Sequence, residues 1–160
     1  MKIEYSPIGI IRTPYTKREG MPIQPSGATG ITGTVEVFET FAAGLKDLDD
    51  FSHIILLYYF HRSNGYNLKI VPFLDNKPHG IFATRAPNRP NPIGLSIVQL
   101  NKIENSILYI KNIDVLDKTP LLDIKPYVPD FDGQTGVRTG WMMDVQKKTV
   151  AEKKSDNRFK

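Results

Sequence analysis

The sequence contains no cysteine. This absence excludes disulfides, thiolate metal sites and a cysteine nucleophile, and it suits a reducing compartment. The longest apolar run covers residues 54–60, which is far too short to cross a bilayer. The chain also lacks a long apolar stretch after its N-terminus, so no signal peptide is visible. We therefore expect a cytoplasmic protein without membrane contact.

Several familiar site motifs are missing as well. The histidines, His53, His61 and His79, include no close pair at metal-ligand spacing, so we expect no metal. No P-loop and no strand followed by Gly-x-Gly-x-x-Gly is present, which argues against an NTPase and a Rossmann dinucleotide site. There is no Gly-x-Ser-x-Gly elbow either. These absences leave a small domain without a familiar catalytic motif.

What the sequence does contain is a stiff, basic segment at residues 82–96. Pro87, Pro90 and Pro92 fix their own φ angles and push the preceding residues into extended conformations. Two arginines and two asparagines lie among these prolines, and no carboxylate balances the arginines. The pattern fits a preformed binding loop, which loses little entropy on binding, about as well as a rigid connection between strands.

The 160 residues suit one domain, and the net charge of +4 is unevenly distributed. Residues 1–132 hold 14 Lys/Arg and 14 Asp/Glu, whereas residues 133–160 hold 7 and 3. We therefore expect a neutral body over residues 1–144 and a basic C-terminal tail over residues 145–160. Such a tail is either a sequence-independent contact to a polyanion or a solvated terminus without a role.

Hydrophobic periodicity indicates a mainly β fold with few helices. We expect a single small β-barrel of about seven strands, closed or nearly closed, with one short helix over residues 40–48 that has Thr40 as its N-cap. Pro120, Pro126 and Pro129 should limit the last strand to pairing at an edge or at its ends. The predicted strands cover residues 5–11, 31–38, 51–62, 80–84, 93–103, 106–116 and 121–128.

Two apolar features need a partner. The strand at residues 51–62 is apolar on both faces, so its outer face requires a cover, either the short helix or a second subunit, and we favour the subunit. The second feature, Trp141 with Met142 and Met143, is an apolar patch in a polar region, and it should dock back on the domain or pack on a partner.

Five segments closely resemble the TsaA-like/TrmO family. They are residues 8–15, 51–61, 80–85, 89–96 and 117–127, and the resemblance extends from about residue 6 to about residue 132. It implies an S-adenosylmethionine-dependent methyltransferase built on a single β-barrel and acting as a homodimer. It also implies methylation of N6 of threonylcarbamoyladenosine beside the anticodon of tRNA.

The resemblance further implies which residues form the site. From the chemistry of that reaction we expect Asp117 to accept the proton, Arg89 or Lys125 to bind the threonyl carboxylate, and Asn91 to face the incoming base. The residues implied to contact S-adenosylmethionine are Pro25, Ser26, Gly27, His61, Arg62, Arg85, Leu95, Asp114, Val115, Leu116 and Asp117.

The chain departs from the family pattern in two places. Lys118 stands where family members usually have glycine, and a left-handed turn there would cost about 1 kcal/mol. Longer bacterial members also continue into a C-terminal domain that this chain does not match. Two alternatives therefore stay open: a non-catalytic barrel that binds S-adenosylmethionine or RNA, and a methyltransferase acting on a small molecule.

Overall fold

The computed structural model describes residues 1–145 and 152–156. Six antiparallel strands close into a barrel in the order β1-β2-β7-β6-β3-β8, which confirms the mainly β, closed-barrel prediction. Two further short strands, β4 and β5, pair only with each other. The strands are β1 Gly9–Arg12, β2 Thr32–Val37, β3 His53–Tyr59, β4 Lys69–Ile70, β5 His79–Gly80, β6 Ile93–Glu104, β7 Ile107–Lys111 and β8 Thr119–Pro126.

The barrel interior is filled by alternate residues of its strands. In β3, for example, Ile54, Leu56 and Tyr58 are buried, as the period of two requires. The neighbouring strands contribute buried aliphatic side chains in the same way, so the barrel has a continuous core. That core includes Ile11, Val35, Val37, Val98, Leu100, Leu108, Ile110, Ile113, Val115 and Leu121.

The opposite face of β3 forms an apolar surface with β6. The register sets Ile55 against Ile97, Leu57 against Leu95 and Tyr59 against Ile93. The three β6 residues of this set are 37–43% exposed, and Tyr59 is 41% exposed. We call these six residues the β3–β6 outer face. The apolar residues of this face confirm the prediction that both faces of β3 are apolar.

The prediction of one continuous helix over residues 40–48 is wrong. Two 3₁₀ helices, Glu39–Leu45 and Leu48–Asp50, occupy this region, and Asp47 between them has a left-handed φ of 65° that no continuous helix can accept. Phe38 precedes the first helix without a side-chain cap, so Thr40 is not the N-cap. Leu48 is nevertheless buried in the core, and Leu45 packs against it.

Strands β6 and β7 form a hairpin, and β7 ends earlier than the predicted strand over residues 106–116. Asn105 turns the chain with a φ of 57°, a conformation that asparagine tolerates well. β7 stops at Lys111 rather than near residue 116, because Asn112 also has a left-handed φ of 65°. The Asn112 side-chain oxygen then accepts a hydrogen bond from the backbone N–H of Gly30 at 2.9 Å, which fixes the end of the strand.

Strand β8 pairs on both sides, with β1 and with β3, so the edge alternative is wrong. The alternative that prolines sit at the strand ends is right, since Pro120 and Pro126 are its second and last residues. A closed barrel leaves no edge strand, and prolines near the ends remove few ladder hydrogen bonds.

Two predicted strand boundaries are corrected. The first strand begins at Gly9 rather than at residue 5. Residues 80–84 do not extend as a strand, because a 3₁₀ helix, Ile81–Ala83, follows β5 directly. Ile81 is 1% exposed and packs with Ile70 and Ala86 in a second, smaller core beside the barrel. This small core supports the start of the stiff segment.

The C-terminal part folds back on the domain. Trp141, in the 3₁₀ helix Gly140–Asp144, donates its indole N–H to the carbonyl of Ala83 at 2.8 Å, as one of the two predicted alternatives requires. Lys154 forms a β-bridge with Pro22, and Ser155 exchanges backbone hydrogen bonds with Gly20 and Met21. Residues 146–151 and 157–160 of the predicted basic tail lie outside the described residues, and the boundary at residue 144 stays a prediction.

The remaining elements are short. They are an α-helix, α1 Pro129–Asp132, and a 3₁₀ helix, Pro25–Gly27. Within the described ranges, no helix is long and apolar enough to cross a membrane.

Candidate active site

A cavity of about 1230 Å³ opens at one end of the barrel. The last residues of β3, the first residues of β6 and the first residue of β8 lie at this end, because these strands run antiparallel to one another. The stiff segment and the loop around Pro25 complete its walls. The segment singled out in the sequence therefore lines a cavity at the mouth of the barrel, which is where small β-barrels bind ligands.

A hydrogen-bonded chain of three side chains lies at this end of the barrel. The hydroxyl groups of Tyr58 and Ser96 are 2.9 Å apart, and Ser96 donates to Oδ1 of Asp114 at 2.6 Å. Tyr58 and Ser96 are buried and point into the barrel, whereas Asp114 follows β7 on the loop that leads to β8. A polar network is thus held against the core beneath the cavity.

Asp114 is the carboxylate of this network, and its environment changes its acidity. Burial raises the pKa of Asp114 to about 6, and this rise is opposed by the hydrogen bond from Ser96 and by the positive charge of Arg85. Burial together with the charge of Asp114 also raises the pKa of Tyr58, which keeps the phenol protonated. A carboxylate that exchanges protons near neutral pH is what a general base needs.

Gly94 makes this arrangement possible. A Cβ atom at position 94 would lie 2.1 Å from Cε2 of Tyr58, closer than any two carbons can pack. The Tyr58 ring therefore lies directly against the glycine backbone of β6, two residues before Ser96. In the Gly-Leu-Ser sequence at the start of β6, Gly94 leaves room for the Tyr58 ring and Ser96 donates to Asp114.

His61 borders the cavity beside Thr119. Its Nδ1 lies 3.3 Å from the Thr119 hydroxyl, which also donates to the carbonyl of Leu116 at 2.7 Å. Burial lowers the pKa of His61, and the positive charges of Arg62 and Arg18 lower it further against the opposing charge of Asp117. His61 is therefore neutral at pH 7 and can donate or accept a hydrogen bond.

Four arginines line the cavity, namely Arg18, Arg62, Arg85 and Arg89. Two of them contact nearby backbone: Arg62 donates to the Thr16 carbonyl at 3.3 Å, and Arg89 donates to the Thr84 carbonyl at 3.1 Å. Asp114 and Asp156 are the two carboxylates among the lining residues described. The cavity is therefore cationic in balance and suits an anionic ligand.

Asp117 is held by backbone contacts beside the cavity. Its Oδ1 accepts the N–H of Thr13 at 3.2 Å, and its own N–H donates to the Tyr15 carbonyl at 2.7 Å. It is not among the residues that line the cavity. The next residue, Lys118, has a left-handed φ of 62°, so lysine adopts here the conformation that glycine adopts more easily.

Most of the predicted site residues meet at the cavity. Gly27 and Asp117 lie next to lining residues without lining it themselves, and Lys125 lies toward the opposite end of β8, where it pairs with Asp123 at 2.8 Å. The predicted residues that line it are Pro25, Ser26, His61, Arg62, Arg85, Arg89, Asn91, Leu95, Asp114, Val115 and Leu116.

Other lining residues escaped the sequence reasoning. Nothing in the sequence indicated that Tyr58 and Ser96 belong to the cavity, because their partner Asp114 is close to them only in the folded chain. Phe82 and Trp141 also line the cavity. Each was noticeable in the sequence, Phe82 at the start of the stiff segment and Trp141 as an isolated apolar residue, but nothing there connected the two. Among the residues described, no group of three or more potential ligands could hold a metal ion.

Comparison with known proteins agrees with this geometry. A probable S-adenosyl-L-methionine-binding protein of Pyrococcus abyssi is 51% identical over 160 residues, which cover 99% of this chain and 86% of that protein. A mouse protein named tRNA (adenine(37)-N6)-methyltransferase is 36% identical over 133 residues, 79% of this chain but 31% of that protein.

A solved structure has the same barrel. The crystal structure of TrmO from Pseudomonas aeruginosa superposes with a TM-score of 0.75 at 39% identity, covering 88% of this chain and 63% of that one. The chain thus spans less than two thirds of that TrmO chain. The family model of the tRNA-methyltransferase O N-terminal domain matches residues 10–133, which include all six barrel strands apart from Gly9. The chain belongs to the tRNA-methyltransferase O N-terminal domain family.

Proposed function

We propose that this protein is an S-adenosylmethionine-dependent methyltransferase that methylates N6 of an adenine in tRNA. The observation that carries the proposal is the cationic cavity, where the stiff segment, His61-Arg62 and the loop at Asp114 come together. Family membership and the S-adenosylmethionine-binding relatives support the cofactor, and the mouse relative supports the adenine N6 target.

The chemistry of the cavity fits the cofactor. An arginine such as Arg85 or Arg62 suits the cofactor's carboxylate, and Asp114 suits its positive charge. The backbone of Val115 and Leu116 and the side chain of Leu95 offer polar and apolar contacts for an adenine. The cavity volume of about 1230 Å³ exceeds the usual upper value of about 1,000 Å³ for one small ligand, so a nucleotide can enter beside the cofactor.

The main catalytic task is alignment of nucleophile, methyl group and sulfur in one line. The methyl group leaves as a cation equivalent, the sulfur keeps the bonding electron pair, and the nitrogen must lose its proton. Asp117 is the acceptor that the sequence predicts. We propose Asp114 as the acceptor instead, because Asp114 lines the cavity, which Asp117 does not, and is hydrogen-bonded to Ser96.

For the substrate we propose N6-threonylcarbamoyladenosine beside the anticodon. Its threonyl carboxylate needs a cation, and its nucleotide carries a phosphate. Arg89 and Asn91 line the cavity and are the residues best positioned for these groups, whereas Lys125 would need a contact away from the cavity. The basic residues of the C-terminal segment add attraction for the tRNA backbone.

We also propose that the protein acts as a homodimer in the cytoplasm. The β3–β6 outer face is the apolar surface that needs a cover, and a second copy would provide one. Replacing Leu57 with aspartate should then halve the mass measured in solution. Val137→Asp is the control, since Val137 is exposed but lies outside this face. A monomeric wild-type protein would contradict the dimer.

Two experiments separate the enzyme from its alternatives. Isothermal titration with S-adenosylmethionine should give saturable binding, and no binding at high micromolar concentration would exclude the methyltransferase. Incubation with a labelled methyl donor and tRNA should then give labelled tRNA. Binding without transfer to tRNA would favour the non-catalytic module. Transfer to a small molecule alone would favour a methyltransferase that acts on a small molecule.

A further inference from the structure

Phe82 has an exposed aromatic side chain on a backbone turn that hydrogen bonds hold in place. It is 76% exposed, although its neighbour Ile81 is 1% exposed and packs in the second core. The turn that carries it is closed by two backbone hydrogen bonds, from Ile81 to the Leu68 carbonyl at 2.9 Å and from Thr84 to the Ile81 carbonyl at 3.1 Å. The exposed ring therefore has a fixed backbone position.

Trp141 is tied to the same turn from a distant part of the chain. Its indole N–H donates to the carbonyl of Ala83, the residue after Phe82, at 2.8 Å. The His79 ring stacks on the indole with centroids 4.5 Å apart and planes 21° apart, and His79 is held by Asp75 at 2.8 Å. The His79 ring and the Ala83 carbonyl thus fix the orientation of an indole that lines the cavity.

Both aromatic side chains line the cavity, and so do Arg85 and Arg89. An aromatic surface beside arginines matches a nucleotide, whose base has a π-face and whose phosphate is an anion. A second copy of this chain would need a largely apolar surface, and the β3–β6 outer face, whose Ile93, Leu95 and Ile97 also line the cavity, provides that beside this position. The charge balance of the cavity favours single-stranded nucleic acid at this position.

We propose that Phe82 and Trp141 form a stacking surface for an unpaired RNA base that flanks the methylated adenine. This proposal rests on the proposed function, because that function supplies a single-stranded loop of tRNA as the partner. An enzyme that modifies the base edge must take the target out of the stack, and the flanking base then loses its neighbour. Stacking on the protein replaces that contact and holds the loop in position.

The tryptophan provides a direct measurement, because Trp141 is the only one in the chain. Titration of the wild-type protein with tRNA, and with a single-stranded RNA heptamer of anticodon-loop sequence, should quench its fluorescence in a saturable way. A heptamer paired to its complement should quench less. If tRNA binds by a filter assay without any change in tryptophan emission, the stacking surface is wrong.

Kinetics provide the second test. Phe82→Ala should lower kcat/KM for tRNA about 5- to 150-fold, mostly through KM, with the dissociation constant for S-adenosylmethionine unchanged. Phe82→Trp should keep most of the activity. Phe131→Ala is the matched control, since Phe131 is 78% exposed and does not line the cavity. Trp141→Phe keeps a ring and should lose less than Trp141→Ala.

The outcomes distinguish this proposal from the proposed function. Fluorescence quenching without methyl transfer would support the stacking surface and contradict the enzyme. Methyl transfer with normal KM in Phe82→Ala and Trp141→Ala would support the enzyme and overturn the stacking surface. Loss of the dimer in Phe82→Ala would also overturn it, because the ring would then belong to a subunit contact.

Discussion

Ser96 donates its hydroxyl hydrogen to Asp114 across 2.6 Å, although 18 residues separate them in the chain. The bond joins a buried strand residue to a carboxylate at the cavity wall, and Tyr58 extends the network into the core. Asp114 is therefore held in place while it stays next to the ligand space. The first three predictions concern this carboxylate.

The proton acceptor can be identified with two isosteric variants. Asp114→Asn should lower kcat by about 10²- to 10⁴-fold, the usual contribution of a general base, while S-adenosylmethionine still binds. Asp117→Asn should have a much smaller effect, because its Oδ1 can still accept the N–H of Thr13. The measurement is single-turnover methyl transfer to tRNA. A large loss in Asp117→Asn with an active Asp114→Asn would assign the role to Asp117.

The pH dependence of activity should report the same group. Because burial raises the pKa of Asp114 to about 6, the base is protonated below that pH, and kcat/KM should fall about tenfold per pH unit there. Asp114→Asn should lack this limb in its residual activity. A wild-type profile that stays flat between pH 5 and 8 would contradict a base with this pKa.

The stability of the empty protein gives an independent check. A carboxyl whose folded pKa lies above its unfolded value favours folding below the unfolded pKa, and this contribution is lost as pH rises through the folded pKa. The melting temperature of Asp114→Asn minus that of the wild type should therefore be larger at pH 8 than at pH 4. Thermal unfolding at both pH values measures this difference, and a gain that is larger at pH 4 would have the wrong sign.

The contact between Gly94 and Tyr58 should not tolerate a methyl group. A Cβ at position 94 would overlap the Tyr58 ring, so Gly94→Ala should cost about 1–3 kcal/mol of unfolding free energy. Gly44→Ala is the control, because nothing lies within 4 Å of its added Cβ. Urea unfolding compares the two variants. Equal stabilities would show that the ring can move away without loss.

The barrel could be predicted from the sequence because alternation of apolar residues is a local signal. The predicted elements that were wrong also have physical causes. Asp47 and Asn112 adopt left-handed conformations that end elements earlier than hydrophobic periodicity indicates. The strand-like residues 80–84 form a turn because Ile81 is drawn into a second core, which is a tertiary effect. β8 has a neighbour on each side in the closed barrel, although its prolines are also compatible with an edge strand.

Residues that line the cavity could be predicted where family motifs are contiguous, and not where the cavity depends on contacts between distant segments. The motif residues at 61–62, 85–95 and 114–116 meet at one cavity, and Lys118 has the left-handed φ expected for a position that usually holds glycine. The partnership of Ser96 with Asp114, and that of Trp141 with Ala83, each join segments that only the fold brings together.

The most direct measurement is transfer of a labelled methyl group from S-adenosylmethionine to total tRNA, prepared with and without the threonylcarbamoyl modification, followed by nucleoside analysis. We expect label on N6 of threonylcarbamoyladenosine in the modified tRNA and none in the unmodified tRNA. Absence of label from both preparations, under conditions where the cofactor binds, would contradict the proposed function.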